Sequence, residues 1–512
     1  MLSAAYSAGL CGIDGFPVTV ECNRLEKLEG FELVGLPDAA VKEAKERVWN
    51  ACANTGFPFP YSRITVNLAP ADRKKEGSAF DAAILTAIFH SSGVIRREVE
   101  LRGRCIVGEL SLSGELRSVR GVLSMCLSAK EAGFREFYAP EANAAEAAVV
   151  EGITVFAVPD MRSLVRHLNG EQALAPVRCD REAYAAAFAA SGPDFLDVRG
   201  QAVAKRAMEI AAAGGHNVLL SGPPGSGKSM MAGRFAGILP PLSAEERLEV
   251  VRVWSAVGRG AEAARMPGRP VRAPHHTTSA QAMAGGAARA GRPPLPGEIS
   301  LAHNGVLFLD EFPEFHKDVL EVLRQPLEDG VVTISRAAGR VTYPARFQLI
   351  AAMNPCKCGW YGTPRCTCSP REVRQYLHRL SGPLLDRIDL QVAVQPVSYA
   401  ALAARGERSE ESSADIRRRV LDARARQAAR FAGLGLRVNA DIPPAYMAEF
   451  CPVDAAGQAM LRAAFDRLGL TARAYDRLLR VARTAADLAG QEVIGAAQIA
   501  EALSYRTLDR MG

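Results

Sequence analysis

No stretch of this 512-residue chain is long and apolar enough to span a bilayer. The uncharged run 210–227 is broken by "GGH" and "PPGSG", which a membrane helix does not tolerate. A secretory signal is missing too: "MLSAAYSAGLCGIDG" opens the chain with no basic residues before its apolar ones. Eleven cysteines, an odd number, argue against a disulfide framework in a large chain without an export signal. The expected location is the cytoplasm, with no membrane partner. Strong overall charge is also lacking. The net value is +6, yet residues 331–380 alone carry eight basic residues against one acid, Glu372. Such a local basic patch points either to a polyanion partner or to a solvated face. Hydrophobic residues make up 48% of the chain and charged residues 23%, which suits a soluble protein of about three domains.

The strongest positive signal is "NVLLSGPPGSGKSM", 217–230. An apolar strand runs into Gly222, Pro223, Pro224, Gly225, Ser226, Gly227, Lys228 and Ser229, and a helical pattern follows. Small residues let backbone N–H groups close around a phosphate chain, and the helix N-terminus adds its dipole. Lys228 then reaches the terminal phosphates of ATP, and Ser229 offers its hydroxyl to Mg2+. "GVLFLDE", 305–311, supplies a second strand that ends in acids. Asp310 is placed to hold Mg2+ through water, and Glu311 to polarise the attacking water. A third strand, "FQLIAAMNP", 347–355, ends in Asn354, a polar group suited to holding that water near the third phosphate.

This middle region resembles the AAA+ ATPases, a family of ring-forming motors. On that resemblance Asn354 takes the sensor-1 place. Arg387 in "GPLLDRIDL", 382–390, takes the place of the arginine finger that enters a neighbouring subunit's site. A local ion pair of Arg387 with Asp386 or Asp389 is the plainer alternative. Arg473, in "LTARAYDRLLRVARTAADLAG", 470–490, takes the place of a sensor-2 arginine on the lid. "RAPHHTTS" and "PGEISLAHNGVLFLDE", within 272–311, are more specific. They strongly resemble the Mg-chelatase-like ATPases of the YifB/ComM family. With "GLPDAAVKEAKERV" near the start and "RVARTAADL" near the end, the resemblance covers essentially the whole chain. It implies ATP and Mg2+ as cofactors, a homo-oligomer expected to be a hexameric ring, and DNA branch migration in natural transformation. His275 and His276 read as a loop that packs or hydrogen-bonds near the nucleotide, since adjacent histidines seldom point at one ion.

Two inserts carry the basic patch. "VVTISRAAGRVTYPARF", 331–347, alternates on both sides of "RAAGR" and reads as a hairpin with a basic tip. In related helicases such a hairpin enters the central pore, which makes Arg336 and Arg340 expected phosphate contacts. The plainer reading is an exposed hairpin with solubilising arginines. In "NPCKCGWYGTPRCTCSP", 354–370, Cys356, Cys358, Cys366 and Cys368 are spaced to close a tetrahedral Zn2+ site. The gaps are C-x-C, not the commoner C-x-x-C, so free thiols or a redox switch stay open. Such a knot would stiffen a basic loop whose Lys357 is a further expected DNA contact. Trp360 and Tyr361 offer faces on which a base stacks.

The expected fold is α/β: an AAA+ phosphate-loop domain with a helical lid, preceded by a Lon-protease-like, ribosomal S5 domain 2-like α+β domain. The expected boundaries are 1–170 for the first domain, 171–195 for a linker, 196–397 for the ATPase and 398–512 for the lid. In the first domain Ser78 falls near the place of the Lon nucleophile. The lysine base expected after "SVRG" is missing, although Lys74 and Lys75 lie close in sequence. A non-proteolytic scaffold is the reading. The overall expectation is an ATP-driven ring motor on DNA. The rivals are a metal-chelatase ATPase subunit and a Lon-like protease or chaperone; the D-x-S-x-S adhesion string of a chelatase partner is absent from this chain.

Overall fold

The computed structural model describes residues 1–25, 30–179, 192–287, 294–336, 339–396 and 411–506. Residues 180–191 of the expected linker and the charged stretch 404–410 lie outside these, as does the side chain of Arg336.

The first unit is built on an eight-stranded sheet in the order β10-β9-β8-β5-β1-β2-β4-β3. Its strands are β1 (Leu2–Cys11), β2 (Asp14–Leu25), β3 (Gly30–Val34), β4 (Arg63–Ala69), β5 (Arg104–Ile106), β8 (Glu136–Pro140), β9 (Thr154–Val158) and β10 (Pro176–Val177). A short hairpin, β6 (Glu109–Leu110) and β7 (Leu116–Arg117), stands beside it. Alternation dictates the faces: Phe16, Val18, Val20 and Cys22 of β2 all turn inward. Helix Asp81–Ser92 is apolar on nearly every side and is buried accordingly. The sheet continues beyond the boundary expected at residue 170, because Pro176 and Val177 pair antiparallel with Phe156 and Val155. Two residues are too short a strand to leave a period-2 signal.

The second unit is a five-stranded, wholly parallel sheet in the order β12-β15-β18-β11-β19. These strands are β11 (Val218–Ser221), β12 (Val271–Arg272), β15 (Val306–Leu309), β18 (Gln348–Met353) and β19 (Leu390–Ala393). All are short, and all but the edge strand β12 are almost fully buried, as strands covered on both faces must be. Two hairpins project from it: β13 (Gly285–Ala287) with β14 (Pro294–Pro296), and β16 (Val331–Arg336) with β17 (Gly339–Pro344). The helical C-terminal part, from helix Ser413–Arg430 to helix Ala496–Ser504, shares one core with helix Ala202–Gly214 and strands β11, β18 and β19.

The first two units share a core as well. Helix Ala244–Ala256 of the motor starts at a capping box of Ser243 and Glu246. Its Val250, Val251, Val253 and Trp254 bury against Val122, Leu123, Met125 and Cys126 of helix Val122–Glu131 and its neighbours. Trp254 donates its indole N–H to the Leu301 carbonyl at 3.0 Å, and Arg259 lies over the ring at 4.6 Å. The Gly121 N–H donates to the Ser255 carbonyl across the seam at 2.9 Å. Trp254→Ala should empty this seam and cost about 3–5 kcal/mol of stability, measurable by denaturant melts; an unchanged melt would show that the seam carries no stability.

Candidate functional site

The phosphate loop leaves β11 and enters helix Lys228–Phe235. Gly225 and Gly227 adopt φ of 75° and 92°, the left-handed region that a glycine enters at no steric cost. Gly222 is needed for space: a Cβ there would stand 2.3 Å from the Val394 carbonyl oxygen. The Lys228 ammonium is buried. It donates to the carbonyls of Gly222 at 2.6 Å and Pro223 at 2.9 Å, and to Asn354 Oδ1 at 3.4 Å. Burial lowers its pKa, which the nearby Asp310 carboxylate opposes. Ser229 Oγ donates to Asp310 Oδ2 at 2.6 Å. The two residues suited to hold Mg2+ are therefore already in contact, and their oxygens are the hard donors that ion takes.

Glu311 follows with φ 52°, an uncommon conformation for a residue other than glycine. Its carboxylate lies 2.9 Å from Nδ1 of His276. The sequence placed the His275–His276 loop near the nucleotide, and this contact fits that expectation; nothing in it singled out Glu311 as the partner. Gln201 has no motif around it. Its amide donates to the carbonyls of Ser226 at 3.3 Å and Gln395 at 2.6 Å, tying the loop to the end of β19.

Two arginines lie elsewhere. Arg387 precedes β19, at the end of the sheet opposite the phosphate loop. It donates to the Pro383 carbonyl at 2.6 Å and pairs with Glu328. Neither acid considered from sequence is its partner: Asp386 takes Arg477 at 3.0 Å, and Asp389 takes His216 at 3.2 Å. Arg473 lies at the same end. Its helix, Ala472–Leu488, runs along the starts of β11 and β19, where Thr484 meets His216 at 2.8 Å. Arg473 is exposed, and the Arg477 side chain donates to its carbonyl. The lid thus sets Arg473 beside the Arg387 segment and not over this chain's own phosphate loop. Sequence periodicity fixed the helix but not the end of the sheet it covers. A cavity of about 580 Å³ opens on this side, lined by Arg387, Arg424, Arg437, Arg477 and Arg480 together with Asp386 and Asp389.

The four cysteines come together, with all Sγ atoms within 4.8 Å of one another. Cys356 and Cys358 are 3.3 Å apart, Cys358 and Cys366 3.7 Å, and Cys356 and Cys366 3.9 Å. A tetrahedron with Zn–S bonds of about 2.3 Å has edges of about 3.8 Å, so the donor set fits that ion. Hydrogen bonds from the Thr367 and Trp360 backbones lower the Cys358 thiol to about 5. Gly359 presses on the phosphate loop: its Cβ would come within 2.8 Å of Pro224 Cδ. Arg365 covers the Trp360 ring at 5.1 Å, while Tyr361 and Lys357 are exposed.

On β16 and β17, Val332, Ile334 and Tyr343 turn into the core, and Arg340 is exposed. In the first unit, Ser78 donates to Glu109. Lys74 pairs with Glu76 at 3.0 Å, and the carbonyls of Pro70 and Arg73 hold the buried Lys75. Among the described residues no lysine is bonded to Ser78. No helix among them is long and apolar enough to cross a membrane.

A parallel sheet with strand order β12-β15-β18-β11-β19, a phosphate loop on β11 and acids at the tip of β15 defines a protein of the AAA+ P-loop class. Residues 194–402 match the family described as magnesium chelatase, subunit ChlI; residues 20–143 match subunit ChlI of Mg-chelatase, and 410–506 its C-terminal part. YifB of Salmonella typhimurium is 42% identical over 510 residues, covering 100% of this chain and 98% of that protein. The competence protein ComM of Haemophilus influenzae is 42% identical over 511 residues, with the same coverage. A shorter likeness, 31% over 94 residues and 18% of this chain, joins it to the DNA replication licensing factor Mcm6 of Drosophila melanogaster. The chain belongs to the YifB/ComM family of Mg-chelatase-like AAA+ proteins.

Gly359→Val should push the phosphate loop out of place. Displacements of about 1 Å at such sites cost about 10²-fold in rate, so binding of a fluorescent ATP analogue should weaken and turnover should fall; wild-type values for both would show that the contact is idle.

Proposed function

We propose that this protein is an ATP-driven ring motor acting on DNA, and that branch migration during recombination of incoming DNA is its task. The observation that carries the reading is the division of the ATP chemistry between two ends of one sheet. Lys228, Ser229, Asp310, Glu311 and Asn354 crowd the C-terminal ends of β11, β15 and β18. Arg387 and Arg473 stand at the other end. A site that needs an arginine to offset charge developing on the third phosphate must take it from a neighbouring copy, so the working form is a homo-oligomer. Six subunits in a ring is the number the family resemblance implies.

In this scheme Lys228 exchanges two carbonyls for the terminal phosphates. Ser229 and Asp310 would hold Mg2+, which would neutralise phosphate charge. Glu311 takes a proton from water as it attacks, and Asn354 holds that water in line. Arg387 leaves Glu328 to reach the next subunit's phosphate, and Arg473 serves the same seam. Arg340 of the hairpin and Lys357 of the cysteine loop, with Arg336, contact DNA phosphates; such contacts position the strand and do not read its sequence. The four thiolates would hold a structural Zn2+, which would stiffen this loop. The relative named for competence, and the short likeness to a replication factor, support DNA over a porphyrin or a protein substrate.

ATP turnover should rise with forked DNA and stay flat with porphyrin or casein; a rate indifferent to DNA that the protein also fails to bind would end the DNA reading. Glu311→Gln should retain bound ATP with turnover cut by about 10²-fold or more, and a wild-type rate would remove Glu311 from the chemistry. Metal analysis should find one zinc per chain, lost in Cys356→Ser; metal-free protein with four reactive thiols would leave the knot without its ion.

A further inference from the structure

We propose that Asn217 is a positioning residue for Arg387: its side-chain amide fixes the main chain from which that guanidinium swings towards the neighbouring subunit, so that the arginine moves on a rigid base. The inference rests on the reading of Arg387 as the residue that completes the next subunit's ATP site.

Asn217 is the last residue before β11, at the end of the sheet opposite the phosphate loop. Its side-chain Nδ2 donates to the Arg387 carbonyl at 2.9 Å, and Oδ1 accepts from the Leu349 N–H at 2.8 Å. The main-chain carbonyl accepts from the N–H groups of Asp389 at 3.1 Å and Leu390 at 3.0 Å. The main-chain N–H donates to Asp389 Oδ2 at 3.4 Å. One residue thus bridges β18 to the turn that carries Arg387. That turn runs between helix Gly382–Leu385 and β19, outside any strand ladder, so the Arg387 carbonyl depends on a side chain for its partner. The four residues of β11 separate Asn217 from Gly222, roughly 16 Å at about 3.3 Å per residue, which leaves the phosphate loop of the same chain beyond its contact.

The turn is held on its other sides as well. His216 is buried, with Nδ1 3.2 Å from Asp389 Oδ2 and Nε2 2.8 Å from Thr484 Oγ1 of the lid helix. Arg477 pairs with Asp386 at 3.0 Å and donates to the Ile388 carbonyl at 3.4 Å. Leu384 and Ile388 are buried in the core on either side of Arg387. The Arg387 side chain is kept less firmly than its backbone. Its terminal nitrogens meet the Pro383 carbonyl and the exposed Glu328 carboxylate, and its buried Nε has no partner. An ion pair with an exposed acid is weak enough for a phosphate to replace. Donors aimed in advance at the place where charge develops cost no reorganisation at the moment of reaction. A long, many-jointed side chain meets that condition only when its root is fixed, and Asn217 is the side chain bonded to that root.

The test uses two variants of the full chain. Asn217→Ala removes both side-chain bonds; Asn217→Asp keeps the acceptor for the Leu349 N–H and loses the donor to Arg387, so it decides the matter if Asn217→Ala does not fold. Each should bind a fluorescent ATP analogue with wild-type Kd and hold its KM, while kcat falls about tenfold or more. Each is then co-expressed with Lys228→Ala, whose own site is dead and whose Arg387 is intact, and the mixed oligomers are captured through two different tags. A sound phosphate loop then stands beside a well-placed arginine, so turnover should rise several-fold above the mean of the two parents. Arg387→Ala mixed with Lys228→Ala is the reference. Recovery in the reference without recovery in the Asn217 mixtures would show that Asn217 is structural only, and the inference falls. A reference that does not recover overturns the reading of Arg387 as the neighbour's residue, and the role of Asn217 with it. A wild-type kcat in Asn217→Asp, or a loss of ATP binding by it, would also overturn the inference.

Discussion

The constraint on which the site depends is the parallel register of β18 between β15 and β11. Leu309 stands opposite Ala351, and Met353 opposite Ser221. The residues that follow each strand therefore emerge together: Asp310 and Glu311 from β15, Asn354 from β18 and Gly222 from β11. A slip of one residue in any of these ladders would reverse the faces of that strand. It would also move its polar terminus by about 3.3 Å, about the length of a hydrogen bond and enough to break those among Lys228, Asn354, Ser229 and Asp310. Burial on both faces is what forbids the slip, since it would disturb a core that includes Val306, Ile350 and Val218.

Around this edge the chain arranges parts that are distant in sequence. The cysteine loop touches the phosphate loop through Gly359 and Pro224. The histidine loop reaches Glu311, and Gln201 clasps Ser226 and Gln395 from the far side. The helix before the basic hairpin supplies Glu328, the present partner of Arg387. Thus the hairpin is tied to the motor at two places, at its base through Arg387 and along its flank through Met283.

Local pattern made much of this legible. The phosphate loop, the apolar strand ending in Asp310 and Glu311, and the strand ending in Asn354 each have a signature within a dozen residues, and each was read correctly as an element. The basic hairpin showed the same clarity, because a period of two survives in "VVTIS" and "RVTYP". Long-range placement was not legible. Helix Ala472–Leu488 has a strong apolar stripe, but nothing along it tells which end of the sheet it covers, so the end at which Arg473 stands could not be read from it. The partner of Arg387 lies 59 positions away on a separate helix, and the acids adjacent in sequence proved a poor guide. Gln201 was missed because one amide bonding to backbone carbonyls leaves no spacing rule. His276 was noticed for its neighbour His275, and only the fold brings Glu311 to it.

The shared core around Trp254 has a consequence for how the pieces travel. The first unit is welded to the motor through helix Ala244–Ala256, whereas the helical C-terminal part is joined through helix Ala202–Gly214 on another flank. Swivelling between sheet and lid would therefore carry the eight-stranded sheet along with the nucleotide-holding half as one body. A motor cut free at residue 178 would bare Val250, Val251 and Trp254 to water. Such a fragment would bury that face by self-association, so the first unit also serves as the hydrophobic cover that keeps the motor dispersed.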